Sequence, residues 1–160
     1  EIPCVDASEL RSVQEEDELL EGIEPCLNAA HAAGIAIGLE TSLPPDRFRQ
    51  LLLRASHPAL KANYDSGNSA SLGFDTREEI ASYGQWVNNV HIKDRQLRGT
   101  TVPLGTGDAN IPATLASLRS CGYSGDFILQ AARQLGDEAS VISGYAAQLR
   151  AWIDGANVAS

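Results

Sequence analysis

The chain contains no methionine, and its three cysteines, Cys4, Cys26 and Cys121, include no CxxC pair. An odd number of widely spaced cysteines argues against a disulfide framework and for reduced thiols in a cytoplasmic protein. A translated chain starts with Met, so the lack of one reads as the mark of a trimmed chain or a fragment. Cations are scarce: 12 Lys and Arg against 21 Asp and Glu leave a formal net charge of −9. Nucleic acid and anionic membrane both require a basic footprint, so neither is expected as a partner. No apolar run approaches the roughly 20 residues of a membrane-spanning helix, and the first residues carry no signal-peptide pattern. Linkers, low-complexity tracts and charge runs are missing too. The 160 residues, 43% of them hydrophobic, therefore read as one domain over 1–160 with enough apolar side chains for a real core.

What is present is alternation. Short apolar runs at 2–6, 35–40, 60–65, 86–92 and 127–130 read as strands. Between them lie helical patterns at about 16–33, 46–55, 78–83, 111–121 and 138–153. In the first of these, Leu19, Leu20, Ile23, Leu27 and Ala30 recur at helical spacing, and Pro25 is expected to kink that helix or mark its true start. Repeated βα units predict an α/β fold on a parallel sheet, either a closed barrel or an open doubly wound sheet. Neither GxGxxG nor a Walker A loop follows any strand, which favours the (β/α)8 barrel. A closed barrel needs three strands more than these five.

Chemistry in a barrel sits where strands end. Here the ends carry Asp6, Glu40, Asp65, His91 and Gln130. Glu40, Asp65 and His91 offer two carboxylates and an imidazole, to which Gln130 can add an amide oxygen. An oxygen-rich set with one nitrogen suits Mn2+, Mg2+ or Co2+, and after them Zn2+. The alternative is that these residues only cap strands and bind one another.

Five segments carry a resemblance: Ile37-Gly38-Leu39-Glu40, Asn63-Tyr64-Asp65-Ser66-Gly67-Asn68, Asn89-Val90-His91-Ile92-Lys93-Asp94, Val102-Pro103-Leu104-Gly105-Thr106-Gly107 and Gly125-Asp126-Phe127-Ile128-Leu129-Gln130. In order and spacing the chain resembles the xylose-isomerase-like TIM barrels, the sugar and sugar-phosphate isomerases and epimerases of the AP-endonuclease-2-like superfamily. The resemblance implies that the segments are strands four to eight, so that residues 1–160 form the C-terminal portion of one barrel. It also implies a divalent metal at Glu40, Asp65, His91 and Gln130, with Glu40 as catalytic base forming an enediolate. In the family's epimerases a second Glu stands where this chain has Gln130. An amide cannot shuttle a proton at neutral pH. Glu40 is then a single base, with water, Asp6 or a residue outside these five units returning the proton. Isomerisation, dehydration, or a non-catalytic metal- or carbohydrate-binding barrel are the alternatives. The superfamily's DNA-cutting branch needs more His ligands and a basic face, which three His and the acidic charge oppose.

On the substrate side, Lys93, Arg95, Arg98 and Arg133 follow the ends that carry His91 and Gln130, a local positive cluster that suits a sugar phosphate or sugar acid. Gly105 and Gly107 are expected to turn backbone N–H groups toward a phosphate. Asn68 falls at the family's position for a substrate hydroxyl, while Leu97 stands where some ketose epimerases have an Arg. Five strands alone would leave two bare edges, so a homo-oligomer is expected.

Overall fold

The computed structural model describes residues 1–130 and 137–158. Five parallel strands lie side by side in the order in which they occur along the chain: β1 (Ile2–Cys4), β2 (Ile37–Thr41), β3 (Leu60–Asp65), β4 (Val87–Ile92) and β5 (Phe127–Leu129). Parallel neighbours need a crossover each time. These are supplied by the helices α1 (Val13–Ala32), α2 (Pro45–Ala55), α3 (Ser66–Leu72), α4 (Thr76–Tyr83) and α5 (Ile111–Ser120), while α6 (Glu138–Val158) follows β5.

Alternation along the strands divides the sheet into two unlike faces. Leu39, Tyr64, Val90 and Ile92 pack with Ile23, Leu27, Phe48, Leu51, Ile80, Tyr83, Leu115 and Leu118 of the helices to form the core. Each such side chain removed from water is worth about 2 kcal/mol before ordering costs. The other face presents Glu40, Asn63, Asp65, Asn89 and His91, buried or half-buried. In-register pairs such as Asp65 and His91 keep the polar residues level with one another.

Three elements differ from the sequence expectation. α1 starts at Val13, three residues early, because Ser12 accepts from the Glu15 N–H and Glu15 reaches back to the Ser12 N–H. Pro25 lies inside this helix and does not start it. α3 falls in a stretch expected to be loop; Asp65 caps it by accepting from the N–H groups of Gly67 and Asn68. β1 ends at Cys4, and Asp6 begins a single 3-10 turn with φ +52°. Across the first crossover, Glu16 of α1 is buried and accepts from Arg47 and Arg54 of α2, tying the two helices together. No helix among the described residues is long and apolar enough to cross a membrane.

Candidate active site

Glu40, Asp65 and His91 occupy the C-terminal parts of β2, β3 and β4, and each is about 95% buried. Their side chains converge. His91 Nδ1 lies 3.6 Å from Glu40 Oε2 and 3.9 Å from Asp65 Oδ2. Gln130, just past β5, is anchored by its backbone N–H on the Ile92 carbonyl (3.0 Å). Its Nε2 stands 3.0 Å from His91 Nδ1 and its Oε1 lies 3.4 Å from Lys93 Nζ.

Two amides fix the Glu40 carboxylate. Asn63 Nδ2 donates to Oε2 (2.7 Å) and Asn68 Nδ2 to Oε1 (2.5 Å). The amides are themselves oriented from behind. Asn89 Nδ2 donates to Asn63 Oδ1 (2.6 Å), and Arg95 Nη1 donates to Asn68 Oδ1 (2.9 Å). With their oxygens so engaged, both amides can only present N–H to Glu40. Burial, the nearby Asp65 charge and a hydrogen bond with Glu1 push the Glu40 carboxyl up to about 7, against the opposing pull of the two amides.

Asp65 has a different environment. Its Oδ1 accepts from Gly67 and Asn68 N–H, and its Oδ2 pairs with Lys93 Nζ at 3.0 Å. Gly67 permits this arrangement: a Cβ there would come within 2.8 Å of the Lys93 side chain. Lys93 therefore neutralises a buried carboxylate and is no free cation for a substrate.

The substrate-side residues are placed unevenly. An open cleft over the strand ends is lined by Glu1, Asp6, Glu40, Asn68, Lys93, Arg95 and Gln130, among others. Of the two expected arginines, Arg95 lines this cleft and Arg98 does not. The 96–99 turn gives Arg98 a left-handed backbone (φ +54°), and its side chain is exposed, outside the cleft lining. Gly105 and Gly107 do not form the expected outward anion cradle. Their N–H groups both donate to Oδ2 of buried Asp94 at 2.9 Å, and Ala109 N–H donates to Oδ1 at 3.1 Å. An internal carboxylate thus takes the place proposed for a phosphate. Arg133 lies outside the described residues.

Glu1 is the residue that sequence reasoning missed. It precedes β1, and its Oε2 lies 3.3 Å from His91 Nε2. A carboxylate oxygen of Glu1, one of Glu40 and a ring nitrogen of His91 lie within 4.8 Å of one another. The available signal was its position two residues before Pro3, which pairs with Glu40: alternation places Glu1 on the same sheet face.

Residues 4–153 match the xylose isomerase-like TIM barrel family. A curated relative, 2-epi-5-epi-valiolone 7-phosphate 2-epimerase from Actinoplanes sp., is 32% identical over 97 residues, covering 58% of this chain and 35% of that protein. A xylose isomerase domain protein from Planctomyces limnophilus superposes with TM-score 0.74 at 25% identity, over 86% of this chain and 52% of its own. A xylose isomerase-like TIM barrel protein from Mycobacterium smegmatis, in complex with magnesium, superposes with TM-score 0.70 at 21% identity, over 92% and 53%. The chain thus spans about a third of the curated relative and about half of each of these two solved chains.

Proposed function

The chain belongs to the xylose isomerase-like TIM barrel family, and on that premise we propose that it is a metal-dependent isomerase or epimerase of a sugar, sugar phosphate or sugar acid. The reaction is removal of a proton from the carbon beside a carbonyl, giving an enediolate. Glu40 carries this reading. It is a buried carboxylate at a strand end, held by two amides, with no Lys or Arg among its described contacts. In the metal-free chain burial and the neighbouring carboxylates push this carboxyl up to about 7, which favours uptake of a proton. The Actinoplanes relative is named as an epimerase of a phosphorylated compound, which supports this substrate class.

Glu40, Asp65 and His91 would hold the cation; the amide oxygen expected from Gln130 instead faces Lys93 Nζ, and its Nε2 faces His91. Donors bonded to one ion at about 2.0–2.3 Å sit roughly 3–4.5 Å apart. The 3.6 and 3.9 Å separations from His91 Nδ1 to the two carboxylates fall in that span. Mn2+, Mg2+ or Co2+ suits the donor set best, and Zn2+ next; magnesium in the Mycobacterium smegmatis barrel supports a divalent ion. Such a cation, when bound, supplies Lewis-acid polarisation of a carbonyl or hydroxyl oxygen.

The chain's own residues do the rest. Asn63 and Asn68 hold the Glu40 carboxylate against the cleft, so that it needs no reorientation to accept the proton. Glu40 can deliver that proton to the neighbouring carbon of the enediolate, which is aldose–ketose isomerisation once the hydroxyl proton passes from one enediolate oxygen to the other. Returning it from the opposite face, as epimerisation requires, falls to water or Asp6, because Gln130 cannot carry it. Gln130 favours one second reading, a non-catalytic metal or carbohydrate binder; a dehydratase would use the same Glu40.

In this proposal residues 1–160 are strands four to eight of one barrel. The exposed edges of β1 and β5 are then covered by further strands or, in the isolated chain, by a second copy. The three free thiols suit a reducing cytoplasm. Glu40→Gln, assayed with Mn2+ on a panel of ketoses and ketose phosphates, is expected to abolish turnover while Mn2+ binding survives in weakened form. Unchanged turnover removes Glu40 as the base. Sugar binding without turnover by the wild type selects the binder.

A further inference from the structure

We propose that Arg95, with the hydroxyls of Thr100 and Thr101, is the subsite for an anionic group on the substrate, a phosphate or a carboxylate, at the β4 end of the cleft. The inference rests on the isomerase reading above for the sugar's place over Glu40, and it narrows the substrates to those that carry such a group.

Charge along the cleft is divided. Glu1, Asp6 and Glu40 come from the chain around β1 and β2, whereas Lys93 and Arg95 follow β4. Lys93 pairs with Asp65. Arg95 has only neutral partners: its Nη1 donates to Asn68 Oδ1 at 2.9 Å, and its Nε and Nη2 donate to the Gly99 carbonyl at 3.1 and 2.8 Å. Among the described residues no carboxylate stands within ion-pair distance of it. A half-buried guanidinium among neutral partners keeps its charge for an anion.

The three contacts fix the guanidinium plane and leave one N–H on Nη1 and one on Nη2. Two such N–H groups match two oxygens of a phosphate or carboxylate. Arg95 and Thr101 are partners in an antiparallel bridge, which puts their side chains on the same side. Thr100 and Thr101 both line the cleft, and among the described residues neither hydroxyl is engaged. Asn68 alone separates the guanidinium from Glu40, to which its Nδ2 donates. An anion at Arg95 therefore sits one amide's length from the base, a few carbons along a sugar from the proton that Glu40 removes.

The test adds inorganic phosphate and, separately, acetate to the whole chain, with EDTA present so that no metal carries the anion. NMR follows the Thr100 and Thr101 amide signals and, in the wild type, the Arg95 Nε–H. Phosphate is expected to shift all three, and Arg95→Met to raise its Kd roughly tenfold or more. Arg95→Lys should recover part of that loss. Thr101→Val, which keeps the bridge and removes only the hydroxyl, should weaken binding about threefold. Arg98→Met removes the same charge from the same loop outside the cleft and should bind as the wild type does. Acetate shifts as large as those of phosphate assign the subsite to sugar acids, and smaller ones assign it to phosphorylated sugars. Thermal melts check that each variant is folded; should Arg95→Met not fold, Thr101→Val decides. No shift with either anion, or equal losses in Arg95→Met and Arg98→Met, overturns the inference. The isomerase reading then still stands, because Glu40→Gln tests it separately.

Discussion

Glu1 Oε2 lies 3.3 Å from His91 Nε2, although β1 and β4 are separated in the sheet by two other strands. In a flat sheet, strands three places apart lie about 14 Å from one another. Contact across that span requires the sheet to curl with its polar face inward, as the strands of a barrel do. Gln130 needs no such curl, because it follows β5, the direct neighbour of β4, and reaches the same imidazole from there. The polar cluster is therefore a product of curvature as much as of sequence.

Lys93 and Asp65 form a buried pair that a cation could replace. Removing the ammonium in Lys93→Met leaves Asp65 with two backbone donors and an uncompensated charge. This is expected to cost about 2–4 kcal/mol in the metal-free chain. Added Mn2+ should restore much of the lost melting temperature, and more than it adds to the wild type. Equal Mn2+ shifts in both proteins would place the ion away from Asp65.

Glu79 predicts a pH dependence of stability. It is buried on α4, accepts from Ser69, Tyr64 and Tyr83, and burial pushes its carboxyl up to about 7, with Asp75 adding a smaller push. From its ordinary value of 4.5 up to about 7, the native state holds a proton that the unfolded state has lost. Its contribution is thus fully present below pH 4.5 and lost as pH rises through 7, by an amount on the order of 3 kcal/mol. Urea unfolding of wild type and Glu79→Gln at pH 5 and pH 8 checks this. The variant should gain on the wild type as pH rises, and a constant difference would contradict it.

Asp94 predicts the behaviour of the loop over 95–110. It accepts three backbone N–H groups of that loop, and a Cβ at Gly107 would clash with its carboxylate and come within 2.7 Å of the Arg95 carbonyl. Asp94→Ala and Gly107→Ala should each destabilise the chain by about 2–4 kcal/mol. Trypsin should then cut after Arg95 or Arg98 faster than in the wild type. Cleavage at the wild-type rate would show that the loop is held by other contacts.

The sequence makes the βα alternation legible, because the core strands are apolar runs closed by single polar residues. Glu40, Asp65 and His91 stand out for that reason, and the matched family agrees with the barrel class. α3 was hidden because Ser66, Gly67, Asn68 and Ser69 are poor helix formers individually. The Asp65 cap and burial against β4 override that propensity. Glu1 was hidden because it lies ahead of a strand whose curvature alone brings it to His91. The direction of the Gly105 and Gly107 N–H groups was equally invisible, since it depends on an Asp more than ten residues back. Arg98 leaves the expected cluster at one left-handed turn position, which a non-glycine residue does not announce.

Hydrogen exchange at the substrate carbon tests the central claim most directly. In D2O with Mn2+, the proposed reaction predicts that the wild type places deuterium on the carbon beside the carbonyl of a ketose it turns over, detected by NMR. Glu40→Gln should place none while remaining folded. Equal deuterium incorporation by Glu40→Gln, or isomerisation by the wild type without any incorporation from solvent and without loss in that variant, would contradict proton abstraction by Glu40.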